Sequence, residues 1–200
     1  MLTGLPPIID NRARVLVLGS MPGTASLQQR QYYAHPRNLF WRITGELLGF
    51  GTDWTDIDYP TRTAALRAAG IGLWDVLHTC DRHGSLDAAI ERDSMAPNDF
   101  GALLTEYPDI AKVFFNGAKA AQMFHRLVVP VSDEWVRRDL TLHRLPSTSP
   151  ANASISYHAK LAAWRAIIGN ASSSDGGDAG TAPARQFETS HSVAGSGPTS

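Results

Sequence analysis

A chain of 200 residues with 43% hydrophobic content can bury one sizeable core, and its length favours a single domain. The formal net charge of −1 gives no global attraction to a nucleic acid, so any phosphate binding must come from a local patch. A single cysteine, Cys80, excludes an intrachain disulfide, a Cys-ligated iron–sulfur cluster and a zinc ribbon, which fits a reducing cytoplasm. No run approaches the roughly 18 apolar residues of a membrane helix. Met1–Pro7 lacks the basic start and long apolar centre of a signal peptide, so a soluble cytoplasmic protein is expected.

In chain order, Ala13–Leu18 is an aliphatic run that suits a parallel strand covered on both faces. It opens into Gly19-Ser20-Met21-Pro22-Gly23, and sheets of this kind bind ligands at the carboxyl ends of their strands. The spacing of Phe40, Trp41, Ile43, Leu47 and Leu48 predicts a helix over Asn38–Phe50, stopped by Gly49 and Gly51. Thr61–Ala69 reads as a second helix closed by Gly70, and Ile71–Leu77 as a strand with Asp75 near its end. Asn98 is expected to cap a helix running to about Tyr107. A strand at Ala111–Phe115, a helix at Ala118–Arg126, a strand at Leu140–Leu145 and a helix at Ser156–Ile168 follow. This alternation predicts a three-layer α/β/α domain around a mostly parallel, four-stranded central sheet.

The expected domain is 13–169, with residues 1–12 as an N-terminal extension. From Ala171 to Ser200 the residues are mostly Ser, Gly, Ala, Thr and Asp, with Phe187 the only aromatic. Such a stretch buries too little to offset its ordering entropy, so 170–200 reads as a disordered tail that aids solubility.

Three strand ends gather unusual chemistry: Gly19–Asn38, Asp75–His83 and Leu145–Asn152. The first brings Tyr32, Tyr33, His35, Arg37 and Asn38 close together. Arg37 suits a phosphate or carboxylate, while His35 before Pro36 also reads as a turn residue and Asn38 as a helix cap. Ser147, Thr148 and Ser149 lie between Pro146 and Pro150, where hydroxyls and amides can donate to phosphate oxygens or cap the last helix. Asn116-Gly117 reads first as a turn. Gly19–Gly23 is too short for a Walker loop and does not match the dinucleotide fingerprint, so no nucleotide cofactor is expected. His78, Cys80, Asp81 and His83 lack a second cysteine and helical His spacing, so no metal is expected either. Arg82, His83, His158 and Lys160 are weaker candidates for DNA contact, against plain solvation.

Taken together and in this order, Gly19–Gly23, Ala34-His35-Pro36-Arg37-Asn38-Leu39-Phe40-Trp41 and Leu145-Pro146-Ser147-Thr148-Ser149-Pro150 resemble the uracil-DNA glycosylase superfamily. The resemblance spans Ala13 to Ile168 and is greatest to the branch acting on hypoxanthine (deoxyinosine) in DNA, with the mismatch-specific uracil/thymine branch a near relative. Members usually place Asp or Asn in the first motif to orient the attacking water, where this chain has Met21. Uracil-specific members open the last motif with a His, where this chain has Leu145. The hypoxanthine branch looks similar in lacking both, and the resemblance implies that Asn38 takes over the water. It also implies that Tyr33 stacks on the flipped base and that Asp75 lies near its polar edge, with Asn116 a further candidate.

The function expected from this resemblance is cofactor-free base excision repair by a monomer. The chain would hydrolyse the N-glycosidic bond of deaminated bases in DNA, hypoxanthine foremost. The nucleotide must leave the duplex stack, which costs a few kcal/mol. Gly19, Ser20, Met21 and Pro22 would line the base, with loop amides hydrogen-bonding it as it departs. Asn38 would hold water toward C1′ of an oxocarbenium-like sugar. His35, Arg37, Ser147, Thr148, Ser149, Pro150 and Asn152 would meet the DNA, with Pro150-Ala151-Asn152 placed as a wedge. Two other readings are a mismatch-type uracil/thymine glycosylase and a module that binds damaged bases without cutting, the latter favoured by apolar Met21 and Leu145.

Overall fold

The computed structural model describes residues 1–84, 86–131 and 140–169, so the expected tail at 170–200 lies outside the described residues. The chain opens with a two-residue strand β1 (Leu2–Thr3), and the aliphatic run becomes β2 (Val15–Gly19), buried at every position. Helices α1 (Thr24–Gln29), α2 (Phe40–Leu48) and α3 (Tyr59–Ala68) lead to β3 (Ile71–Asp75) and β4 (Leu77–Cys80). After β5 (Ala96–Pro97) come α4 (Phe100–Glu106), β6 (Lys112–Asn116), α5 (Ala118–Leu127), β7 (Thr141–Leu145) and α6 (Tyr157–Trp164).

The expected four-stranded sheet is present, in the order β3-β2-β6-β7 and parallel throughout, with helices packed against it. β2 sits inside the sheet with both faces covered, which is why it reads as an uninterrupted aliphatic run. Sequence reasoning missed the second sheet, three antiparallel strands in the order β1-β4-β5. The single strand expected over Ile71–Leu77 divides at Val76, whose N–H donates to the Gly19 carbonyl at 2.9 Å, and β4 then enters the small sheet.

The first residues are stitched into the domain. Leu2 pairs with Cys80, and Ile8 exchanges backbone hydrogen bonds with Leu73 at 2.9 and 2.8 Å. The Leu5 carbonyl accepts from the Tyr32 hydroxyl and from Trp74 Nε1, both at 3.1 Å.

Helix boundaries differ from expectation by a residue or two at several points, α2 and α3 included, and at α4 and α6 the reason is local. Asp99, not Asn98, caps α4, accepting from the Ala102 N–H at 2.9 Å, while Asn98 is buried and donates its amide to the Asp75 carbonyl. Ser156 caps α6 through the Ala159 N–H, and that helix tightens into a 3₁₀ turn at Arg165–Ile167. α2 buries Phe40, Trp41 and Ile43 completely; Phe40 meets Trp41 and Trp164 edge-on at 5.0 and 5.7 Å. Edge-to-face packing of this kind fixes ring orientation beyond what area burial alone provides.

Candidate active site

Matched parallel registers bring four strand ends to one edge of the sheet: Gly19 beside Asp75, and Asn116 beside Leu145. Strand order reverses about β2, the position where open α/β sheets form a ligand crevice. A cleft of about 1200 Å³ opens there, and the residues expected to serve catalysis, base capture or DNA contact line it, apart from the weaker DNA-contact candidates Arg82, His83, His158 and Lys160.

The floor is set by Gly19. A Cβ at this position would fall 2.2 Å from Asp75 Oδ1 and 3.0 Å from the Tyr33 hydroxyl, so only glycine lets those two groups converge. Asp75 is 3% exposed, and Met21 adds a buried apolar surface beside it. The carbonyls of Gly19, Ser20 and Pro22 accept from Val76 N, Leu77 N and Arg82 Nη2 respectively, none of which lines the cleft. Three of the loop's carbonyls are thus held by groups outside the cleft. Arg82 is therefore a brace and not a DNA contact: it is 8% exposed and also donates to the Gly84 carbonyl at 2.9 Å.

Tyr33 has φ +52°, a left-handed conformation that costs a non-glycine residue roughly 1–2 kcal/mol. Its neighbours hold it there. The Tyr32 N–H donates to the Tyr59 hydroxyl at 2.9 Å, the Ala34 N–H to Ser26 Oγ at 3.2 Å, and Trp41 Nε1 to the Tyr32 carbonyl at 2.7 Å. The phenol ring lines the cleft with one face stacked on buried Phe40, centroids 4.2 Å apart and planes 27° from parallel. Tyr32 is structural; burial, and then the charge of Asp75, push its hydroxyl far above the ordinary phenol range.

Asn38 lies one residue before Leu39, the N-cap of α2. Its Oδ1 accepts from the Phe40 N–H at 3.0 Å at the start of α2, and its side chain lines the cleft. An amide oxygen has two lone pairs, so the second can hold a water. The Asn38 N–H donates to the His35 carbonyl, and His35 Nδ1 accepts from the Arg37 N–H at 3.1 Å, so His35 shapes the turn that carries both. Arg37 is exposed at the cleft, and among the described residues no carboxylate forms an ion pair with it.

The opposite wall is residues 145–152. Thr148, expected on a DNA phosphate, is fully enclosed. Its N–H donates to Asn116 Oδ1 and its Oγ1 accepts from Asn116 Nδ2, both at 2.8 Å, while its carbonyl accepts from the Leu39 N–H at 3.0 Å. Asn116 is thus the latch of this loop, with its amide already committed at both ends. Ser147 Oγ and Ser149 Oγ accept from the Ser149 and Ala151 N–H groups at 3.2 Å, which leaves each hydroxyl proton to donate outward. Asn152 is no simple wedge: its amide donates to the Ser147 carbonyl and its N–H to the Ser149 carbonyl. The large exposed apolar residues lining the cleft are instead Leu86 and Ile155, at 62% and 38% exposure. Lone hydrophobic residues in polar loops carry no sequence signal of that placement.

Lys160, expected in solvent or on a phosphate, is 1% exposed. His83 and His158 are exposed and lie outside the cleft lining. Among the described residues, no three His, Cys, Asp or Glu side chains gather as a metal site.

A family model described as the uracil DNA glycosylase superfamily matches residues 6–168. The chain belongs to this superfamily. It is 40% identical over 119 residues to a hypoxanthine DNA glycosylase of Methanosarcina barkeri, covering 60% of this chain and 73% of that relative. It is 33% identical over 165 residues to a hypoxanthine DNA glycosylase of Methanosarcina acetivorans, covering 82% and 96% respectively. The solution NMR structure of a candidate uracil DNA glycosylase from Methanosarcina acetivorans superposes with a TM-score of 0.65 at 32% identity, covering 82% of this chain and 97% of that one. Uracil-DNA glycosylase superfamily membership thus rests on most of the folded chain, and the cleft motifs lie inside the matched span.

Proposed function

We propose that this superfamily member hydrolyses the N-glycosidic bond of hypoxanthine in DNA. The observation that carries the reading is the position of Asn38: its amide oxygen, with one lone pair to spare, shares a cleft with the Tyr33 ring and the Met21 loop. Both relatives named above bear the same activity in their names. The flipped base stacks on the Tyr33 face opposite Phe40, over the Gly19–Asp75 floor. The C1′–N bond breaks with its electron pair going to the base, and N–H donors of the Ser20–Gly23 loop stabilise that charge where water is excluded. Water held by Asn38 delivers its oxygen to C1′, and its proton ends on the departing base. An oxocarbenium centre is reactive enough that orientation suffices, so an amide can do the work of a carboxylate. Arg37, Arg144 and the Ser147 and Ser149 hydroxyls meet backbone phosphates, and Ile155 fills the vacated stack. The protein acts as a cytoplasmic monomer.

The test is excision from duplexes carrying hypoxanthine, uracil, thymine or xanthine. Release of hypoxanthine well ahead of the others is expected. Preferred release of uracil or thymine opposite guanine would move the chain to the mismatch branch. Tight binding of inosine duplex with no abasic product under prolonged incubation would make it a binding module.

A further inference from the structure

Lys160 is one of the largest fully buried side chains, at 1% exposure, and among the described residues no carboxylate pairs with it. Burial lowers its pKa. A buried ammonium without a carboxylate partner among the described residues is costly to folding, and an anion approaching its site would offset that cost. Its position indicates which. Nζ donates to the Asn152 carbonyl at 2.6 Å, directly behind the cleft wall. Asn152 in turn donates to the Ser147 and Ser149 carbonyls, and Ser156, whose carbonyl accepts from the Lys160 N–H, caps the helix bearing it. One cation therefore underlies the whole turn that presents the Ser147 and Ser149 hydroxyls. It also polarises the peptide between Asn152 and Ala153, which makes the Ala153 N–H a stronger donor.

We propose that Lys160 is a positioning residue that shapes the Ser147–Asn152 turn for a DNA phosphate and supplies that phosphate with its buried counter-charge. The proposal rests on the glycosylase reading. It predicts opposite signs for stability and binding, which a packing role cannot produce.

The experiment compares full-length wild type with Lys160→Met, Lys160→Gln and Lys160→Arg. Melting temperature, duplex affinity across a salt series, and KM and saturating single-turnover rate for inosine duplex are measured. Lys160→Met is expected to melt at or above the wild-type temperature yet bind duplex about 10-fold more weakly, with a salt slope shallower by up to about one. KM should rise by the same factor, and the saturating rate should change less than about 3-fold. Lys160→Gln keeps a donor for the Asn152 carbonyl without the charge and should share the defect; it decides the matter if the Met variant does not fold. Lys160→Arg should recover most of the affinity. Wild-type affinity and salt slope in the Met or Gln variant, or a joint fall in melting temperature and saturating rate at unchanged KM, would overturn the proposal while wild-type excision still upholds the glycosylase reading. Wild type that neither binds duplex nor releases a base would overturn both.

Discussion

On one side of the cleft, residues 33–38 turn side chains toward the opening while their backbone is clamped from behind by Tyr59, Ser26 and Trp41. On the other, residues 145–152 direct most of their polar groups at one another and at Asn116. The first wall displays a phenol, a guanidinium and an amide; the second presents two hydroxyl protons on a fixed turn. Display requires rigid support from neighbouring elements, because a group that acts on a ligand cannot also be saturated by protein. Holding a backbone requires shape, and shape comes from internal bonds. One wall is built for reaction and the other for grip, so damage to each should be read out differently.

The largest expected effect is on the reactive wall. Asn38→Ala should lower single-turnover hypoxanthine release by at least ~10²-fold, the usual scale for a lost catalytic polar group. It also removes the cap on the Phe40 N–H, so Asn38→Ser, which keeps a capping oxygen, should fold normally and remain inactive. Wild-type rates in the Ser variant would remove Asn38 from the mechanism. Tyr33→Ala should weaken capture of an inosine duplex by ~1–3 kcal/mol relative to undamaged duplex, as measured by competition. Equal losses on both duplexes would move Tyr33 from base recognition to structure.

On the gripping wall, Asn116→Ala strands the buried Thr148 N–H and hydroxyl and should cost about 1–3 kcal/mol of stability, measured by denaturant titration. The double variant Asn116→Ala with Thr148→Val should lose less than the two single losses added together, because the pair acts as a unit. Strict additivity would deny the latch. The smallest effect is expected for Ile155→Ala, a few-fold fall in excision from fully paired duplex with little change on single strands, where no stack needs filling. Equal falls on both substrates would deny the wedge.

The parallel strands were legible because a buried strand is a continuous aliphatic run, as at Val15–Leu18, and the unusual residues at strand ends marked the cleft. β1 and β5, two residues each, are too short to carry a period. Ser147, Thr148 and Ser149 look alike in sequence; what separates the enclosed Thr148 from its neighbours is an amide 32 residues away in the chain. Lys160 reads as a solvated helix residue, since nothing local says that the 145–152 loop folds over it. Asn38 was legible as a residue at the start of α2, where its Oδ1 accepts from the Phe40 N–H.

The latches at Asn116–Thr148, Leu39–Thr148 and Arg82–Pro22 complete the cavity before any nucleic acid arrives. Little distortion is then left for the protein to absorb, and the work of recognition falls on the double helix. Selectivity among lesions should accordingly follow how easily each one parts from its opposing nucleotide, so that hypoxanthine opposite a poorly matched partner is released sooner than hypoxanthine opposite cytosine.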